Sequence, residues 1–147
     1  MISRRKAREF AMQSLYAAEV GGDASGGEGD SLLHDEPVSA ETRTYGMALM
    51  RAATKHAEAI DKLIGETSDR WDISRLAVVD RVILRMSIAE LMTQADVPAK
   101  VCINEAVEIA RKFSTENSSK FVNGVLDAVS RRLQSPPDGI PPAGAGA

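Results

Sequence analysis

The sequence predicts an all-α fold, and three observations carry that expectation. Apolar residues recur every three or four positions through several long segments, the spacing of one face of a helix. The alternation of β-branched and aromatic residues that marks a half-buried strand is absent. The six prolines, at positions 37, 98, 136, 137, 141 and 142, interrupt none of the long periodic segments, where each would break the backbone ladder. With 147 residues, 44% hydrophobic and 27% charged, the chain suits one soluble domain around one core.

Taken in order, Ser3 is placed to cap a first helix running to about Val20, with Ala7, Phe10, Ala11, Leu15 and Ala18 inward. At about 100° per residue, Arg5, Arg8, Met12, Gln13 and Tyr16 fall on the opposite arc, with Arg4 at its border. Arg4, Arg5, Lys6 and Arg8 put four cations into the first eight residues. They sit at the helix end whose dipole favours anions by about 0.3–1 kcal/mol each. Two readings stay open: a solubilising basic end, or a phosphate-contacting patch with Tyr16 available to stack on a base. On the second, replacing Arg5 and Arg8 by Ala is expected to leave the melting temperature level or slightly raised.

Residues 21–38 are rich in Gly and acid and show no period, which predicts a flexible acidic linker with a solvated His34. A second helix is expected over Ala40–Ile64, with Tyr45, Leu49, Ala52, His56, Ile60 and Leu63 on its stripe and Gly65 suited to its end. On that stripe His56 reads as partly buried rather than as a ligand. Residues 66–73 look irregular, with Trp71 as a core anchor between helices. A helix over Ser74–Gln94 turns Leu76, Val79, Ile83, Met86 and Ala89 inward; Arg81 and Arg85, four apart on a neighbouring face, suit either a solvated face or a partner surface. Pro98 marks the next turn.

Two further stripes follow. Ile103, Ala106, Val107, Ala110 and Phe113 form one; Phe121, Val122, Val125, Leu126, Val129 and Leu133 form the other. A polar break at Ser114–Ser118 separates them, with Asn117 or Ser118 as N-cap. Gly124 inside the last stripe costs about 1 kcal/mol against Ala, which suggests a close helix crossing there. The tail from residue 135, with four prolines in thirteen residues, should be disordered.

The chemistry missing from the chain narrows its function. One cysteine and two histidines offer no disulfide framework and no metal-ligand spacing. Cys102 reads as a buried, inert thiol. There is no Gly-rich phosphate loop, no HExxH and no nucleophile elbow, so neither an enzyme nor a bound cofactor or metal is expected. No signal peptide and no membrane-length apolar run is evident, which makes the cytoplasm the expected compartment. The net charge of −3 hides a basic first helix beside an acidic linker, and local clustering sets the field near a surface.

The run from Asp96 to Asp127, with VPAKVCINEAVEIARKF and then SSKFVNGVLD, resembles the signature of the NusB family of transcription antitermination factors. The N-terminal RRKAREFAMQSLYAAE and the central DRVILRMSIAEL are similar to the same family, so the likeness covers roughly half of the chain in the family's order. The resemblance implies two packed helical bundles, one domain over residues 1–134. It implies binding of boxA-type single-stranded RNA together with ribosomal protein NusE, within an antitermination complex on RNA polymerase, by a monomer or homodimer. Carried over residue by residue, it marks Arg4, Arg5, Lys6, Arg8, Tyr16, Asn117, Lys120 and Phe121 for RNA, although Phe121 suits the core equally. It marks Asp80 and the helix face around it, with Arg81 and Leu84, for NusE, and expects Asp80→Lys to leave the fold intact. NusB-like domains also occur fused to RNA methyltransferases, but no glycine-rich cofactor loop is present here. The competing class is a helical protein-binding adaptor whose basic end only solubilises.

Overall fold

A computed structural model of the chain describes residues 2–21, 38–67 and 76–134. The expected linker (apart from its two end residues), Trp71 and the C-terminal tail lie outside those residues. Six helices and no strand occur among the described residues: α1 (Arg4–Gly21), α2 (Ala40–Lys55), α3 (Ala57–Thr67), α4 (Val78–Thr93), α5 (Ala99–Phe113) and α6 (Glu116–Gln134). None is long and apolar enough to cross a membrane.

Helix α4 is the hub. It packs against all five other helices, while α1 pairs closely with α2 and α5 with α6. Its sequence explains this: Val82, Ile83, Leu84, Met86, Ile88 and Ala89 are all buried, so apolar residues surround the helix rather than lining one stripe. Around it one continuous core gathers Leu49, Ile60, Ile64, Ile109, Val122 and Leu126, among others.

Local signals set most of the boundaries. The Ser3 hydroxyl accepts the Lys6 amide at 3.3 Å, and the Ser39 hydroxyl accepts the Thr42 amide at 3.1 Å, each meeting an otherwise free donor of a first turn. The Ser3 amide donates to Thr42 Oγ1 at 2.8 Å, so α1 and α2 start side by side. Pro98 precedes α5 at its N-cap.

Four expectations change. The single helix over Ala40–Ile64 is divided at His56, which leaves helical geometry at φ −103°, ψ 19°. Its ring is half-buried. Helix α4 begins at Val78, with Leu76 and Ala77 outside it. The cap of α6 is Thr115, whose Oγ1 accepts the Ser118 amide at 3.0 Å; Asn117 and Ser118 fall inside the first turn. Finally, a Cβ added at Gly124 meets nothing within 4 Å, so no close crossing occurs there. The close crossing is at Gly46, where an added Cβ would lie 2.6 Å from Phe10 Cδ1 and 3.0 Å from the Ala7 carbonyl oxygen.

Candidate nucleic-acid interface

The cations of α1 divide by the face on which they lie. Arg4, Arg5 and Lys6 are exposed. Arg8 is not: its side chain is 2% exposed. Its Nε donates to both oxygens of Glu90, at 2.8 and 3.0 Å, and Tyr45 donates its hydroxyl to the same carboxylate. Arg8 and the equally buried Met12 therefore leave the outward arc expected of them. Opposite charges on the inward faces of α1 and α4 explain it, since each neutralises the other's burial. Burial opposes the charge on Arg8, and the hydrogen bond and charge of Glu90 more than offset it, so its pKa is raised. A sequence signal for this pair existed: Glu90 lies four residues past the inward Met86, on the buried stripe.

Cys102 joins the same cluster. Its thiol is buried and free, and burial, with the Glu90 charge and hydrogen bond, pushes its pKa up to about 12. It stays protonated and unreactive near neutrality.

Outside this enclosed cluster, cations meet acids from other helices. Arg4 Nη2 lies 3.2 Å from Asp96 and its guanidinium stands 5.3 Å over the Tyr45 ring. Arg5 grips Glu105 through Nη2 at 2.7 Å and Nε at 3.4 Å. Lys112 reaches Glu9 at 3.0 Å. Arg5 and Lys112 tie α1 to α5, which run in the same direction, and Arg4 ties α1 to the turn before α5. The acids were not singled out in sequence, where Glu105 lies 100 residues from Arg5.

Along the same helix, Tyr16 is 41% exposed. Eleven residues beyond Arg5 place it about 16 Å further along the axis and only about 20° round it. It lines an apolar groove of about 710 Å³ with Met12 and Val20 from α1, Val78 and Val79 from α4, and Phe113 from α5. At this end Asp80 fastens α4 to the α5–α6 turn, accepting Ser114 and Ser118 hydroxyls at 2.9 Å each. Asn117 and Lys120 are exposed on α6, just past that turn, while Phe121 is half-buried and packs against the core. Tyr16 and the start of α6 thus share one end of the molecule, and Arg4, Arg5 and Lys6 occupy the other end of α1.

The residues marked for a protein partner are mostly enclosed. Leu84 has no exposed surface and Asp80 is 8% exposed. As placed, Leu84 offers no surface to a partner. Asp80→Lys would bury a cation and strip two serines of their acceptor, so it would disturb the turn, contrary to the expectation that the fold stays intact. Arg81 is half-buried and pairs with Glu19. Arg85 takes Asp61 in a two-pronged contact at 2.9 Å and reaches Glu19 at 3.5 Å. The shared Glu19 offsets the repulsion expected between the two arginines. Among the described residues no cluster of three or more His, Cys, Asp or Glu could hold a metal.

Comparison with known proteins gives a consistent picture. The family model described as "NusB family" matches residues 5–131. The chain is 38% identical over 136 residues to the transcription antitermination protein NusB of Chloroherpeton thalassium, covering 92% of this chain and 64% of that protein. It is 39% identical over 131 residues to the protein of the same name from Dehalococcoides mccartyi, covering 89% of this chain and 92% of that one. Among solved structures, it is similar to antitermination factors NusB and NusE crystallised in complex with double-stranded RNA. There the TM-score is 0.78 and the identity 29%, over 87% of this chain and 96% of the other.

Proposed function

This chain belongs to the NusB family, and we propose that it is a transcription antitermination factor that binds boxA-type RNA together with ribosomal protein NusE. On this reading residues 1–134 form the binding unit, act in the cytoplasm and join a complex on RNA polymerase. The observation that carries the RNA part is the outer face of α1. It presents exposed Arg4, Arg5 and Lys6 at one end and exposed Tyr16 beside an apolar groove at the other. Cations supply sequence-blind attraction to phosphates, and an aromatic ring supplies a platform for a base. Asn117 and Lys120 extend the proposed surface at the Tyr16 end. Arg8 and Phe121 support it from the interior and its edge. For NusE, the proposed contacts centre on Arg81 and the exposed positions around it, with Asp80 and Leu84 shaping that helix end from within.

A second reading, a helical protein adaptor without RNA binding, draws on the ion pairs that partly neutralise the basic end. Titration of boxA-like RNA, single- and double-stranded, with and without NusE, separates the two. Arg5→Ala should lower the salt slope of single-strand binding by up to about 0.7, one phosphate contact. Tyr16→Ala should cost about 1–3 kcal/mol and leave the slope nearly unchanged. Unaltered RNA affinity and slope in Arg5→Ala, with NusE binding lost, would make the basic helix a protein-docking surface instead.

A further inference from the structure

The cationic end of α1 is covered by its own chain's carboxylates. Arg5 is held by Glu105 through two nitrogens, and Arg4 by Asp96. Glu105 is itself constrained, because the enclosed Arg8 reaches it with Nη1 at 3.5 Å. Its side chain is only 19% exposed, whereas that of Arg5 is 60% exposed. The acid is therefore fixed and the cation is the mobile partner. A phosphate that draws Arg5 away leaves Glu105 in place without its partner, and the uncompensated carboxylate then repels it.

We propose that Glu105 and Asp96 act as built-in competitors that hold down sequence-independent RNA binding, so that contacts at the Tyr16 end decide which RNA is retained. This inference rests on the RNA-binding reading given above. Physically, cations that start in ion pairs gain less on meeting a phosphate. The released carboxylate recaptures a counterion and cancels part of the release that drives binding. Base stacking at Tyr16 has no such competitor.

The test measures the full chain against a boxA-like RNA and a scrambled RNA of equal length, over a salt series. Asp96→Asn and Glu105→Gln should each tighten both RNAs by the same factor, because a phosphate contact is blind to sequence. The salt slope should steepen by up to about 0.7 per liberated cation. Between 50 and 200 mM salt that contact would cost the variant a further factor of about 2.6. Adding Arg5→Ala to Glu105→Gln should abolish its gain. Asp96 is 67% exposed, so its variant gives a readout free of any folding defect introduced through Arg8 by Glu105→Gln. Unchanged or weaker binding in Asp96→Asn, or a gain confined to the boxA-like RNA, would overturn the inference. If Arg5→Ala weakens RNA binding while neither carboxylate variant tightens it, this inference alone fails. If Arg5→Ala changes nothing either in the parent or in the Glu105→Gln background, the RNA-binding reading of this helix end fails with it.

Discussion

Removing the Arg8 guanidinium would leave the Glu90 carboxylate 1% exposed, held only by neutral donors, among them the Tyr45 hydroxyl and the Cys102 thiol. A buried charge stripped of its counter-charge is among the costliest defects a core can carry. Arg8→Ala should therefore destabilise by about 3–5 kcal/mol, seen as a lower denaturant midpoint. The level melting temperature expected from the sequence for a variant lacking Arg5 and Arg8 does not survive this geometry. Replacing the whole cluster should behave differently. Arg8→Met, Glu90→Leu and Tyr45→Phe together remove both charges and the hydroxyl, leaving only the weakly polar Cys102 thiol, and should recover most of the loss. A midpoint for Arg8→Ala within about 0.5 kcal/mol of the parent, the usual range for surface changes, would show that the pair is solvated and that its enclosure is wrong. Arg5, by contrast, lies outside the core, and its replacement should leave the midpoint nearly level.

At the scale of the element, two glycines on similar helical stripes make a matched pair. Gly46 lies where α2 crosses α1, with Phe10 and the Ala7 carbonyl inside the space of a Cβ. A methyl group there would overlap the buried Phe10 ring and press on the Ala7 carbonyl, so Gly46→Ala should destabilise by about 1–3 kcal/mol. Gly124 on α6 is exposed and faces open space, so Gly124→Ala should gain up to about 1 kcal/mol from helix propensity alone. Thermal unfolding of the two variants should move in opposite directions; movement in the same direction would contradict the crossing geometry. The sequence pointed to Gly124 because a glycine inside a stripe signals close approach. What decides the matter is the neighbour across the crossing, and Phe10 lies 36 positions from Gly46. The same limit explains the helix starts. Ser3 and Ser39 were legible or near to it as caps because the amides that donate to their hydroxyls sit three residues away. Thr115 was passed over for Asn117 and Ser118 because all three are short polar residues in one break, and only the amide geometry chooses between them.

For the whole molecule, most helices were legible because periodicity is local, whereas α4, read from one inward stripe, is the hub because its buried residues spread over several faces. The surface was only half legible. Exposed Arg4, Arg5 and Tyr16 follow from one helix's spacing, whereas Glu90, Asp96 and Glu105 come from α4, the turn after it and α5, and nothing within α1 announces them. That convergence makes the junction of α1, α2, α4 and α5 a buried polar knot, and it has a consequence for pH. Burial, with the Glu90 hydrogen bond and charge, raises the Tyr45 hydroxyl above its ordinary value near 10. The Cys102 thiol is raised from its ordinary value near 9 to about 12. Both groups are neutral when protonated, so the folded chain keeps protons that the unfolded chain releases. The stability tied to them is fully present below about pH 9 and is lost as pH rises toward 12, since stability falls with pH wherever the folded state binds more protons. Denaturant midpoints measured from pH 8 to 11 should hold level and then fall. Cys102→Ala should flatten the start of that fall, and Tyr45→Phe the later part, although Tyr45→Phe also removes a donor from Glu90. Identical profiles for the parent and Cys102→Ala would mean that the thiol titrates freely, and that the knot is open to water.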